Sequence, residues 1–476
     1  MKFSLGADVL TADLIAEYAR SPFELTFAVG VKQSLGEAAQ WAAEAARQGS
    51  AYGRTTGVGA NRDVAADDAD GSHGLRLVRS HATGAGAVHA DDVARASMLV
   101  RAHQLSYPGS GIPFEVVDAL RRAANDGRCA PVRQFGGIGT GDIVPLAELA
   151  LCLLGERPWS DGSTVAYLDH LDASGALSFM SSSAPTIGVA ALGTNEFDCF
   201  THASLVVATL SAVAVRGNGQ QWSLMAEQAR PSAGVSFAAS AMRRMCAGGS
   251  IAATRTQDPL SFRTIPFVVG PLWEATQELA GETGLAANAR AENPRFDQSG
   301  LYHHGAFHLT SLALRLDTVR LALSQWMHTS LARLVKLHDP AYTGDTRFLA
   351  RGPQGSSGLM VLEYTASSAL DAVRGLADPV TRGTTTISIG NEDTASFATR
   401  GAFAARDILR AASNVVACEL VSAVRVLRTF DRSVLPRSVA AALDISSGLS
   451  DMVDDRPLID DVAVATQLLG MLAELV

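Results

Sequence analysis

The stretch HLTSLALRLDTVRLALSQWMHTSLARLVKL, residues 308–337, constrains the fold more than any other part of the chain. Leu309, Leu312, Leu316, Val319, Leu323 and Trp326 recur at steps of three and four. That spacing lines one face of an α-helix with apolar side chains and leaves a seam that other helices must cover. A helix this long with such a seam implies a bundle. Residues 402–430 repeat the habit through Ile408, Val415, Val416, Leu420 and Val426, with no Gly or Pro to interrupt them. Alternating strand patterns are scarce, so the chain reads as all-α. At 476 residues it is long enough either for two or three lobes or for one large helical body stabilised by oligomerisation. The expected division is an N-terminal region, 1–200, that carries active-site loops, and a central helical bundle with C-terminal helices, 201–476. Polar, glycine-containing stretches at 53–74, 217–235, 341–357 and 381–396 read as long loops, the usual carriers of function on a rigid scaffold.

Charge and cysteine content exclude several classes of partner. The formal net charge is −9, and Lys2, Lys32 and Lys336 are the only lysines. No basic run is dense enough to track a phosphate backbone or an anionic membrane, which excludes nucleic acid and lipid as expected partners. Cys129, Cys152, Cys199, Cys246 and Cys418 are odd in number and scattered, without a C-x-x-C pair. Neither a disulfide framework nor a zinc knuckle is expected from them; reduced thiols imply a cytoplasmic protein. The N-terminal MKFSLGADVLTADLIAEYAR places Asp and Glu among its apolar positions, unlike a signal peptide or a membrane span.

One segment asks for chemistry. FGGIGTGDIVPLAE, residues 135–148, packs its glycines ahead of an acid and an apolar helical run. A dinucleotide fingerprint needs G-x-G-x-x-G after a hydrophobic strand, and neither the spacing nor the preceding RCAPVRQ supplies it. A phosphate-binding loop ends in Lys and Ser or Thr, absent here. The plain reading is a tight turn before a helix, with Asp142 near its start and Pro145 in its first turn.

Six blocks, read together, resemble the histidine and aromatic amino acid ammonia-lyase family. GTGDIVPLA, 139–147, is similar to the family's Ala-Ser-Gly-Asp and the apolar-Ala-Pro-Leu-Ala run after it; YGRTTGVG, 52–59, to Tyr-Gly-x-Asn-Thr-Gly-Phe-Gly; RSHATGAG, 79–86, to the Ser-His-x-x-Gly block of the histidine type. QDPLSFR, 257–263, resembles Gln-Asp-x-Tyr-Ser-x-Arg, SGLYHHG, 299–305, resembles Ser-Gly-Gly-Asn-Phe-His-Gly, and GNEDTAS, 390–396, resembles the Gln-Glu-Asp-His block. They occur in the family's order. The resemblance implies an all-α helical bundle of the ammonia-lyase/fumarase-like type, a homotetramer whose active sites draw on several chains, and a small amino-acid-like substrate. It implies that Gly139, Thr140 and Gly141 cyclise with loss of water into a methylidene-imidazolone, an electrophile made from the chain itself, so that no dissociable cofactor is needed. Glycine suits such a segment because an amide nitrogen must approach a carbonyl closely.

The roles carried over by resemblance are Tyr52 as catalytic base, Glu392 as a second acid or base or a partner for an imidazole or amino group, and Arg263 as a clamp for the substrate carboxylate. Ser80, His81, Leu260, Tyr302 and His303 fall at substrate-binding positions. Each has a plainer alternative: a buried hydrogen-bonded tyrosine for Tyr52, a helix-start carboxylate for Glu392, an ordinary ion pair for Arg263, a satisfied interior histidine for His81. Tyr52 serves as a base only where its surroundings lower its pKa from about 10. YHHG with Asp297 suggests a metal, but adjacent histidines do not ligate easily from one helix face, and no metal is expected.

Departures from the family fall on the residues that carry its chemistry. Thr140 stands in place of Ser, which leaves a methyl group on the exocyclic carbon and argues against the usual prosthetic group. Leu260 replaces a tyrosine, Thr55 an asparagine, Tyr302 and His303 an Asn-Phe pair, and MSSS at 180–183 an Asn-Gly-Thr. Three readings stay open: an ammonia-lyase with a methylated group acting on a histidine-like substrate; a relative without the group that performs another elimination, isomerisation or cyclisation in specialised biosynthesis; or a non-catalytic small-molecule binder.

Overall fold

The seam at residues 308–337 is the buried face of a helix, Thr310–Leu337. Leu312, Leu316, Val319, Leu323 and Trp326 are all fully shielded from solvent. A second long helix, Ala398–Leu427, carries the same kind of apolar face, and a third, Ala184–Ala214, is buried on nearly every side. The computed structural model describes residues 2–476, and among them strands form only three two-stranded sheets. Lys2–Leu5 runs parallel to Glu24–Phe27, Ala85–Val88 antiparallel to Arg133–Phe135, and Arg295–Asp297 antiparallel to Gly300–Tyr302. The all-α expectation holds. Arg133–Phe135 does place a strand just before the glycine-rich segment, but it is a short, mostly exposed one, not the buried hydrophobic strand that a dinucleotide site requires.

The chain divides into two compact units, each assembled from separate segments: Met1–Asn195, Leu279–Leu316 and Pro379–Phe403 form the first, and Glu196–Glu278, Asp317–Asp378 and Ala404–Val476 the second. The second unit buries a charge pair at its centre. Arg333 donates from Nε to Glu419 Oε1 at 2.6 Å and from Nη2 to Oε2 at 3.0 Å, and the hydroxyls of Ser211 and Ser330 donate to the same carboxylate. Both charged side chains are buried, so the bidentate geometry and the two serine donors offset a large desolvation cost. Residues 173–214 are apolar enough to cross a membrane by length and composition, yet 83% of the most apolar window is buried inside the protein. That is the signature of a core helix.

Of the four stretches read as long loops, 53–74 and 381–396 are mostly turns and irregular backbone, whereas 217–235 and the start of 341–357 contain short helices. Within 217–235, Asn218, Ser223 and Ser232 each accept a backbone N–H and so start the turn Gly219–Trp222 and the helices Leu224–Ala229 and Ala233–Met245. Asp339 does the same for Pro340–Thr343. The residues that look like loop formers are helix caps, because the same short polar side chains satisfy both uses.

Candidate active site

Tyr52 lies in the turn-rich segment after helix Val31–Gln48. Its phenol oxygen accepts the backbone N–H of Gly59 at 2.8 Å, which folds residues 52–59 into a closed loop. Gly59 has φ +59°, and a Cβ there would lie 2.4 Å from Ser388 Oγ and 3.6 Å from Glu392 Oε1. Only glycine permits both the conformation and the approach. The facing segment turns sharply: Ser388 and Ile389 have φ +54° and +52°, conformations that cost a side-chain-bearing residue about 1–3 kcal/mol each. The turn is held by Ile387 N–H donating to Glu392 O at 2.8 Å and by Ala60 N–H donating to Ser388 Oγ at 2.9 Å. Glu392 is thereby aimed at the loop that carries Tyr52.

These segments close around a cavity of about 790 Å³, whose walls include Tyr52, His81, Thr140, Gly141, His303 and Glu392. All six belong to the first unit, and the volume suits a small-molecule ligand. The Tyr52 and His303 rings meet edge to face, 6.2 Å between centroids. Three carboxylates, Asp63, Glu392 and Asp393, face the cavity against one guanidinium, Arg62. Burial pushes the Tyr52 pKa above its ordinary value; the Gly59 N–H pulls it back, Glu392 raises it further and Arg62 lowers it. The lowered pKa that a resting base needs is absent from the isolated chain, because desolvation outweighs the single donor.

The glycine-rich segment is pinned from one side. Gly139 and Gly141 adopt φ +77° and +98°. Phe397 N–H donates to Ile138 O at 2.9 Å, and the Ser396 hydroxyl donates to Gly139 O at 2.6 Å. Helix Ile143–Leu153 follows as the sequence predicts, but the Asp142 side chain does not cap it. Its carboxylate instead accepts Thr186 N–H at 2.8 Å and the Thr399 hydroxyl at 3.3 Å, and so caps helix Ala184–Ala214. Asp142 is fully buried, and burial raises its pKa to about 6 despite those donors.

That shift has a measurable consequence. An unfolded Asp titrates near 3.9, so the folded state holds this proton more tightly. The resulting stabilisation is full below pH about 4 and lost as pH rises through about 6, on the order of 3 kcal/mol. Asp142→Asn keeps the acceptor for Thr186 and has no proton to lose. Its unfolding free energy, relative to the unsubstituted protein, is expected to grow by that amount between pH 4 and pH 8; a pH-independent difference would remove Asp142 as the titrating group.

Five sequence-predicted residues do not line this cavity: Gly139 turns to Ser396, whose hydroxyl its carbonyl accepts, and four others lie elsewhere. Ser80 is exposed and donates its hydroxyl to Leu77 O at 2.9 Å. Tyr302, the last residue of strand Gly300–Tyr302, is half exposed and hydrogen-bonded to Ser299. Leu260 is 65% exposed, and Arg263 donates to Gln257 Oε1 at 3.3 Å; both belong to the second unit. Conversely, Asp393, next to Glu392, and Arg62 and Asp63, in the polar stretch 53–74, line the cavity without a sequence signal of their own. Asn293 and His308 also reach the cavity without any sequence pattern to single them out, as does Met180 from the MSSS segment. Ser182, where the family's amide block is expected, gives its hydroxyl to Gln104 Oε1 at 2.6 Å.

A family model for aromatic amino acid lyases matches residues 10–445. A histidine ammonia-lyase of Symbiobacterium thermophilum is 28% identical over 486 residues, covering 98% of this chain and 96% of the relative. The crystal structure of an ergothioneine-degrading enzyme, ergothionase, from Treponema denticola superposes with a TM-score of 0.94 at 23% identity, covering all of both chains. A tyrosine aminomutase from Streptomyces globisporus superposes with a TM-score of 0.92 at 21% identity over all of this chain and 98% of its own. At those identities the two structures share the fold with this chain.

Proposed function

This chain belongs to the aromatic amino acid lyase family and is an ammonia-lyase-like enzyme, and from that premise we propose that it eliminates the amino group of a histidine-like amino acid. The observation that carries the reading is the meeting of Tyr52, Glu392, Thr140 and Gly141 on one cavity. Tyr52 removes the proton β to the amino group, and Glu392 holds the ring or the amino group of the substrate. Asp393 adds to a negative field that favours a substrate bearing positive charge, whereas Asp63 is paired with Arg62 at 3.6 Å. Arg62 offers the cavity's own guanidinium to the substrate carboxylate, and in a homotetramer Arg263 of a neighbouring copy is the second.

The residues at 139–141 fit the family's self-made prosthetic group: Gly141 has open space where a Cβ would stand, and a hydroxyl already points at the Gly139 carbonyl. Once formed, a methyl-bearing ring of this kind supplies an electron-poor carbon for the amino group. Histidine ammonia-lyases among the relatives and the histidine-rich, acidic cavity support the histidine-like class. The test is peptide mass mapping across residues 134–148, followed by amino acids screened for ammonia release, histidine first. Loss of two waters with ammonia release is expected. An unmodified segment and no ammonia would overturn the reading in favour of acid/base isomerisation or cyclisation through Tyr52 and Glu392.

A further inference from the structure

Ring closure at 139–141 needs the Gly141 amide nitrogen to attack the Gly139 carbonyl carbon, and negative charge then gathers on the Gly139 oxygen. That oxygen is buried and already carries two donors: the Ser396 hydroxyl at 2.6 Å and, more distantly, Leu309 N–H at 3.5 Å. Ser396 is 5% exposed. Its own lone pair accepts Ala398 N–H at 3.2 Å, in the first turn of helix Ala398–Leu427, which leaves the hydroxyl proton directed at Gly139. A hydroxyl held this way in a buried site stabilises a developing oxyanion without reorganising.

We propose that Ser396 is the hydrogen-bond donor that promotes this ring closure, and that glycine at 139 is what lets it reach. The proposal rests on the functional reading above. A Cβ on residue 139 would lie 2.3 Å from Ser396 Oγ and 2.6 Å from Ala398 N. The alanine that the family carries there would therefore push the donor off its acceptor, with backbone on the far side that does not yield. Phe397, between the two contacts, has φ +51°, and its N–H is committed to Ile138 O; the turn that presents Ser396 is fixed by the same peptides it acts on.

The atoms balance without an oxidant. The Gly141 nitrogen bonds to the Gly139 carbon, and the amide proton ends on the former carbonyl oxygen beside Ser396. That oxygen departs as water with the Thr140 amide proton as the carbon–nitrogen double bond forms. A second water takes the Thr140 Cα proton and hydroxyl.

The decisive comparison is Ser396→Thr against Ser396→Val, which differ by a hydroxyl at nearly constant shape. Peptide mass mapping across residues 134–148, at fixed times after synthesis, reads ring formation independently of turnover, with circular dichroism as the fold check. Ser396→Thr is expected to mature and Ser396→Val to mature on the order of 10²-fold more slowly, the scale of losing one oxyanion donor. Gly139→Ala is expected to be slowed as well, although it restores the family's residue. Equal maturation of the Thr and Val variants overturns the proposal while leaving the functional reading intact. An unmodified segment in the unsubstituted protein overturns both.

Discussion

Tyr52→Phe is expected to lower kcat by about 10²- to 10⁴-fold, the usual contribution of a positioned general base. The substitution is a clean one. Phe keeps the edge-to-face contact with His303 and deletes only the oxygen that accepts Gly59 N–H. Leaving that N–H unpaired costs about 1–3 kcal/mol, too little to unfold a chain of this size, so the fold and substrate binding are expected to survive, with a melting temperature lowered by a few degrees at most, while turnover collapses. The pH profile supplies an independent sign. Burial and the Glu392 carboxylate keep the phenol above its ordinary pKa, so the ionised, competent form is the minor one at neutral pH. The logarithm of kcat/KM should rise by about one per pH unit from neutrality upward, and Tyr52→Phe should flatten that limb. Arg62 pulls in the other direction, so Arg62→Ala should displace the limb to higher pH. A loss below tenfold, or a limb that survives in the Phe variant, would transfer the proton abstraction to another group.

The bundle was legible because apolar spacing of three and four is a backbone property that burial directly reads out: Leu312 through Trp326 fell on the buried face without any knowledge of their partners. The site was legible only where residues cluster in short blocks. Tyr52, Thr140 and Glu392 stand far apart in sequence and were joined by resemblance, and they do meet on one cavity. Arg263 matches its block equally well and Leu260 stands at that block's tyrosine position, yet both lie in the other compact unit. Ser396 ends the GNEDTAS block without a signal of its own, because nothing in a sequence says that a hydroxyl will face a carbonyl 257 positions away. Asp142 shows the same limit from the other side. Its position before Ile143 predicts a cap for its own helix, but burial and the orphan N–H of Thr186 recruit it to a different one.

Thr140 decides between the ring and its absence, and the two substitutions at that position should move activity in opposite directions. Thr140→Ser removes the methyl group from the exocyclic carbon; a less hindered electrophile is expected to raise turnover by about tenfold, the scale of one methyl group at a fitted site. Thr140→Ala has no hydroxyl to eliminate. Its segment 134–148 should lose one water through ring closure and never the second, and turnover should fall by about 10³-fold or more, as when a covalent catalytic group is removed. The mass and the rate have to agree. A one-water product with undiminished turnover would mean that the ring forms but takes no part, whereas an unmodified segment with turnover that survives Thr140→Ala and dies with Tyr52→Phe would identify an acid/base enzyme that has kept the family's cavity and abandoned its electrophile. Thr140 lines that cavity beside Tyr52 in either case, so the steric effect of its methyl group on substrate is common to both. Only the second lost water, measured on the same peptide in the Ser, Thr and Ala forms, separates a hindered electrophile from an unreacted side chain.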